Sequence, residues 1–479
     1  MQTAPPTEKL AWNRLTLNDM ADRVRRREIS PVELVDAHLD AIERFNPSIN
    51  AFVMVFADQA RVAARRAEAL AMRNEFSGPL HGVPITIKDS FDMENLPTSC
   101  GSRFFQNLPA RQTATSVQRL LDAGAIILGK TNCPEFLASY ETDNFIAGRT
   151  NNPWDLERTP GGSSGGEAAA IASFMSAGGL GSDGGGSIRI PAHFTGIAGL
   201  KPTPGRVSAA GHVPEITHPG GLLGVAGPMA RNAADLRTMF QTLAGYDPAD
   251  PFSAPVPLRD ESDARLDSIG IGVMERYQSV PVQPVMRDAV ASAARALESL
   301  GARLRSFHSE SLDRAPNLWW FFFGVLPSRL TQELIAGREQ EAHWTGTEFL
   351  ARALQEPEPA ARHVLDALAQ RDKLRCRLQR EMQETPVLLT PACGVAAFRH
   401  RERRWQTPEK NIGLFEAMMT ATPFNLVGFP ALVIPWMLTG DGLPVGIQLV
   451  GRPYTEELLL EIGVRMEEAR GPFPAPPGF

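Results

Sequence analysis

Residues 147 to 206 restrict the fold more than any other part of the chain, because glycine, serine and proline dominate them in a strict pattern. Two glycine-flanked serine motifs lie there. The first is Gly161-Gly162-Ser163-Ser164-Gly165-Gly166; the second is Gly184-Gly185-Gly186-Ser187-Ile188-Arg189-Ile190-Pro191, preceded by Gly181-Ser182-Asp183. Between them, Glu167 to Ala172 reads as a helix of small side chains, which implies close packing against neighbouring backbone. Glycines ahead of a serine allow turns that a Cβ forbids. Successive N–H groups in such turns can converge on one point, as a bound anion or a developing oxyanion requires. A segment patterned in this way is not a flexible linker.

The surrounding chain alternates strands and helices. Val83 to Lys88 reads as a buried strand ending in a lysine, and Ala125 to Gly129 as another, with a helix around Ser116 to Ala123 ahead of it. Ser30-Pro31-Val32-Glu33 is a capping box that opens a helix through Leu34, Leu39 and Ile42, with Asn46-Pro47 as its expected end. A second helix is expected over Phe56 to Met72. Later come a strand at Ile269 to Val273, a helix from about Pro284 to Leu300, and an aromatic then helical stretch over 305–385. Buried strands return at Val387 to Thr390 and Ala431 to Ile434. This alternation predicts an α/β fold.

Composition narrows the function classes. Hydrophobic residues at 43% and charged residues at 21% fit a globular chain with a large core. A net charge of −6 offers no footprint for a nucleic-acid backbone. Cys100, Cys133, Cys376 and Cys393 show no CxxC spacing, which favours a reducing compartment, and none has a histidine nearby to form a metal pair. Met1 to Leu15 lacks the apolar core of a signal peptide. The apolar run Trp319 to Leu326 is far shorter than the roughly 20 residues of a membrane helix. A soluble, cytoplasmic protein without a membrane partner is expected.

Taken alone, each motif has a plain explanation. Glycine-rich stretches are commonly surface loops, and a lysine after a strand is commonly a snorkelling or paired charge. Gly161 to Gly166 lacks the Lys-Ser/Thr of a phosphate-binding loop, and Gly184 to Gly186 lacks dinucleotide spacing. Taken in order, however, the motifs resemble the amidase signature family of hydrolases. Its pattern runs through Gly82-Val83-Pro84-Ile85-Thr86-Ile87-Lys88-Asp89, Gly161 to Gly166, and Gly185-Gly186-Ser187-Ile188-Arg189-Ile190-Pro191-Ala192. Further matches are Gly129-Lys130-Thr131-Asn132, Asn151 to Trp154, Gly199 to Thr203, Gly227-Pro228-Met229, Asn425 to Pro430 and Gly442 to Gly446. The likeness is dense over 78–237, returns near 386 and is weak between.

The resemblance implies a central twisted, mostly mixed β-sheet sandwiched by helices, with the catalytic loops at one edge. Residues 1–75 would form an N-terminal helical region packed on the core, and residues 76–479 the α/β/α catalytic domain. A variable helical region over 305–385 would shape the substrate entrance. It also implies that Ser187 is the nucleophile, Ser163 the bridging serine on a cis Gly162–Ser163 peptide, and Lys88 the base. The chemistry is coherent, because a serine attacks only once a base takes its proton, and a lysine is a base only when burial keeps it neutral. Backbone N–H groups of Gly184, Gly185, Gly186 and Ser187 would bind the oxyanion, and no metal or organic cofactor is needed. Ser164 would assist the relay or bond to the backbone. Asp183 and Arg189 would hold the loop.

Substrate reading starts from Met418, seven positions before Asn425. The glutaminase subunit of tRNA-dependent amidotransferases, a branch of the family, resembles a pattern with aspartate there. Trp319, Trp320, Phe323 and Met418 are therefore candidate walls of an apolar pocket, although such aromatics can equally be core. The expectation is an amidase for small aryl or alkyl amides, with esters and carbamates (the urethanase-like reading) also within reach, acting as a monomer or homodimer. The alternatives are a catalytically silent scaffold and the glutaminase component of a tRNA-dependent amidotransferase.

Overall fold

Ser30 caps its helix as the sequence predicts. Its hydroxyl accepts from Val32 N at 2.9 Å while Glu33 accepts from Ser30 N at 2.9 Å. The helix spans Pro31–Ile49 and passes through Pro47, beyond its expected end at Asn46-Pro47. Proline forfeits a single N–H bond in the final turn, where the loss is small. The stop comes instead from Asn50, left-handed at φ 57°. The computed structural model describes residues 9–215, 222–278 and 280–479. Residues 1–8, part of the segment read above for a signal peptide and of the expected N-terminal helical region, lie outside the described residues.

Strands follow in chain order as β1 (Phe52–Val55), β2 (Pro84–Lys88), β3 (Ile126–Thr131), β4 (Gly178–Asp183), β5 (Ala198–Lys201), β6 (Val225–Ala230) and β7 (Gly270–Val273). They continue as β8 (Arg303–Ser306), β9 (Val387–Pro391), β10 (Arg404–Gln406), β11 (Asn411–Gly413), β12 (Ala431–Leu438) and β13 (Pro444–Gly451). Eleven of them form one sheet in the order β1-β3-β2-β4-β6-β5-β12-β13-β9-β7-β8, while β10 and β11 pair separately. The sheet is mixed: β2 runs parallel to both β3 and β4, whereas β4–β6, β5–β12 and β12–β13 are antiparallel.

Both faces are covered. Along β12, Leu432 and Ile434 join the largest apolar cluster with the helices at 233–243, 284–299 and 456–470, while Ala431 and Val433 join clusters on the other side. That is the period-two alternation of a sheet buried on both faces. No helix among the described residues is long and apolar enough to cross a membrane.

One expectation about placement is corrected. The site loops do not sit at a lateral edge of the sheet. Lys88 ends β2 and the Ser187 loop leaves the carboxyl end of β4, the third and fourth of the eleven strands, which run parallel side by side. The weak strand former β4 is pinned between β2 and β6. Its Gly179 is required there, since a Cβ would stand 1.8 Å from Glu167 Oε1.

Candidate active site

Lys88 ends β2 with no exposed surface, and its Nζ donates to Ser163 Oγ at 2.7 Å and to Ser182 Oγ at 3.0 Å. Burial lowers its pKa from 10.5 to about 8, against the pull of the Asp183 and Glu167 carboxyl groups. An amine held this way is neutral in an appreciable fraction of molecules near neutral pH and can accept a proton from the hydroxyl it touches. The isolated, solvated ammonium that would have refuted the lysine-base reading is not found.

Ser163 lies on a cis Gly162–Ser163 peptide, as the resemblance implies. The helix Gly165–Ala172 begins just after it. Ser187 ends the glycine loop that follows β4, where Gly186 takes φ +115°, and the helix Arg189–Thr195 begins just after that loop. The two serine motifs are joined directly, with Ser164 N donating to Ser187 O at 3.1 Å. Ser163, Ser187 and Ser182 all line one cavity. Ser164 Oγ donates to Ser182 O at 3.2 Å.

The glycine loop is held from several sides. Asp183 Oδ1 accepts from Gly186 N at 2.7 Å, and Asp183 Oδ2 accepts from Ile188 N at 3.1 Å. Gly186 therefore leaves the expected set of four oxyanion donors, because its N–H is already committed, and Gly184, Gly185 and Ser187 remain. Arg189 grips Asp183 through Nε and Nη2, both at 3.0 Å. It also donates to Asn425 Oδ1 at 2.5 Å, Gln448 Oε1 at 2.7 Å and Ala421 O at 2.9 Å. Burial would raise the Asp183 pKa, but the charge and hydrogen bonds of Arg189 outweigh it and hold the carboxyl well below the usual range. Asp183 and Arg189 thus hold the loop.

A cavity of about 500 Å³ opens on the serines and is mostly apolar, with Phe105, Phe136, Phe323, Leu330, Leu334 and Phe349 among its walls. Of the four expected pocket residues only Phe323 lines it. Trp319 is turned toward the glycine loop, Trp320 packs between Phe349 and Phe415, and Met418 is fully buried beside Cys393 Sγ at 3.7 Å. Trp319 and Met418 are buried and Trp320 is half-buried, and none of the three lines the cavity; in the helical run 319–323 neighbouring side chains point in different directions, so one ring reaches the opening.

Three participants escape sequence reasoning. Ser182 is the second partner of Lys88. Glu167, fully buried, accepts from Thr86 and from Thr131 (2.7 Å), and burial raises its pKa to about 7 against those bonds. Tyr140 donates to Gly185 O at 2.8 Å. Ser182 and Glu167 adjoin the two motifs and can be flagged by position; Tyr140 carries no signal. Another buried lysine near the site, Lys130, is taken up by Asp89 at 2.9 Å and Pro97 O at 2.8 Å.

The Amidase family model matches residues 33–460. The chain belongs to the amidase signature family. A glutamyl-tRNA(Gln) amidotransferase subunit of Moorella thermoacetica is 34% identical over 95% of this chain and 96% of its own length. The structure of 6-aminohexanoate cyclic dimer hydrolase with substrate gives a TM-score of 0.84 at 29% identity, covering 97% of this chain and 99% of that one. A bacterial aryl acylamidase of the same family gives 0.85 at 27% identity, covering 95% and 96%. This amidase is accordingly a hydrolase of carbon–nitrogen amide bonds.

The Arg189 network gives a stability prediction for the amidase. Arg189→Met should destabilise it by about 3–5 kcal/mol in urea denaturation, because Asp183 would be left as a buried carboxylate without its cation. A midpoint unchanged from wild type would show that the network does not hold the loop.

Proposed function

We propose that this amidase cleaves small aryl or alkyl amides by acyl transfer through Ser187, Ser163 and Lys88. Ser187 Oγ attacks the carbonyl carbon, its proton passes to Ser163, and the Ser163 proton passes to Lys88. The C=O electron pair moves to oxygen, where backbone N–H groups of the glycine loop receive it. Collapse breaks the C–N bond, and the proton returns through Ser163 to the departing amine. Water, activated by the same relay, then releases the acid and restores Ser187. Esters and carbamates present the same planar carbon and fall within the proposal. The chain would act as a monomer or homodimer, with the helical region over 305–385 shaping the entrance.

The observation that carries the substrate class is the wall of the cavity. It is mostly apolar, although Asp183, Glu215 and His212 also lie on it, and among the described residues no lysine or arginine lines it. A substrate bearing a free carboxylate would find no cation to pair with, whereas an aryl or alkyl group gains from burial at roughly 25 cal/mol per Å².

The glutaminase reading is favoured by the 34% identity to the amidotransferase component. It requires polar partners for the ammonium and carboxylate of glutamine, and Met418 offers none from its buried position. The purified chain should release aniline from an uncharged anilide and leave glutamine intact. Glutamine hydrolysis appearing only beside partner chains, with no activity on any anilide, ester or carbamate, would reverse the two readings. Within the same panel, Phe323→Ala should raise KM for the anilide about tenfold while changing KM for acetamide little; equal effects on both would remove Phe323 from the pocket.

A further inference from the structure

The aromatic run at 319–323 makes a contact that a pocket wall does not need. Trp319 is 2% exposed, and its indole N–H donates to the Gly184 carbonyl at 2.9 Å. The ring also covers the next residue, since a Cβ on Gly185 would stand 2.4 Å from Trp319 Cζ2. The Gly185 carbonyl is held in turn by Tyr140 at 2.8 Å. Phe323, on the π-helical turn Phe321–Val325, stacks on Trp319 with ring centroids 4.7 Å apart and planes at 15°, and its other surroundings include the cavity.

In a trans peptide the C=O and N–H point to opposite sides. Fixing the Gly184 oxygen against the indole therefore turns the Gly185 N–H away from it. We propose that Trp319 is a positioning residue: its indole N–H locks the Gly184–Gly185 peptide so that the Gly185 N–H meets the oxyanion formed at Ser187, and Phe323 ties that lock to the apolar part of the substrate. The proposal rests on the acyl-transfer reading above. It makes a region outside the dense family motifs part of the transition-state apparatus, so that filling the pocket raises kcat as well as lowering KM.

Two variants test it. Trp319→Phe removes the donor and shrinks the ring. Replacing Trp319 by benzothienylalanine removes only the N–H and keeps the shape, which preserves the test if the phenylalanine variant fails to fold. Each is compared with wild type for anilide hydrolysis and for reaction with an alkyl fluorophosphonate. In that reaction Ser187 Oγ forms a P–O bond, fluoride leaves with the P–F bonding pair, and the serine proton passes through Ser163 to Lys88; mass spectrometry locates the adduct.

Expected in both variants is a fall of about tenfold to a hundredfold in kcat and in phosphonylation rate, with KM within about threefold of wild type. A benzothienylalanine variant that labels at the wild-type rate overturns the positioning role. So does a rise in KM at constant kcat, which would make Trp319 a wall only. A wild-type chain that never acquires the adduct on Ser187 overturns the acyl-transfer reading and this inference together, whereas normal wild-type labelling isolates the fate of Trp319.

Discussion

Ser187→Ala is expected to lower kcat for an anilide by about ten-thousandfold to a millionfold while leaving the folded state intact. The substitution deletes one hydroxyl. The backbone bonds that shape the loop survive, since Ser164 N donates to the carbonyl of residue 187 and Asp183 receives the N–H groups of Gly186 and Ile188. What remains is binding in the apolar cavity and the oxyanion donors, which on their own give a small residual rate. The urea midpoint should lie within about 0.5 kcal/mol of wild type, as for a change that leaves a well-held loop in place. Retention of more than a few per cent of activity by a chain with an unaltered midpoint would remove Ser187 from the mechanism.

Lys88→Met should be nearly as severe, costing about a thousandfold to a hundred-thousandfold in kcat, and it carries a pH signature in the wild type. The folded chain releases the Lys88 proton near pH 8. In the proposed mechanism the base is the neutral amine, so kcat/KM should rise with pH through about 8 and level off above it. Stability follows the same titration. Between about pH 8 and the unfolded value near 10.4, the unfolded chain binds a proton that the folded chain has lost, so the contribution of Lys88 to stability rises with pH across that window. Below about pH 8 both states hold the proton and the slope vanishes. Lys88→Met should remove that contribution, read as a wild-type-minus-variant stability difference that changes with pH only above about 8. At about pH 7 it should unfold within about 2 kcal/mol of wild type, since relief from burying a charge offsets the bonds lost at Ser163 and Ser182. A flat wild-type rate profile between about pH 6 and 9 would show that Lys88 is not the base.

The parts legible in the sequence are those encoded locally. Lys88, Ser163 and Ser187 stand in short motifs whose glycines dictate their own turns, and the structure brings Lys88 to Ser163 and both serines to one cavity. Strands such as β9 and β12 announce themselves by unbroken apolar runs. The failures have physical causes. β1, only four residues long, carries no alternation, and β4 is half glycine, so neither is readable apart from the partners that pin it. Pro47 reads as a helix end because a proline inside a helix is costly, yet in the last turn only one bond is at stake. Trp319 and Trp320 resemble pocket walls because a helical run of rings has one composition and several directions. The Asp183–Arg189 support follows from proximity in the chain, but its reach to Asn425 and Gln448 does not, since hydrogen bonds across 236 and 259 residues leave no trace in spacing.

Those spans also order events during biosynthesis. Ser187 and Lys88 leave the ribosome within the first 190 residues or so, but Gln448, which accepts from Arg189 behind the glycine loop, emerges 259 residues after that arginine. A nascent or truncated chain therefore carries every reactive group without the brace that aligns them. Fragments that end before the carboxyl-terminal strands are therefore expected to be inert toward the anilide, since they lack the Gln448 bond behind the loop.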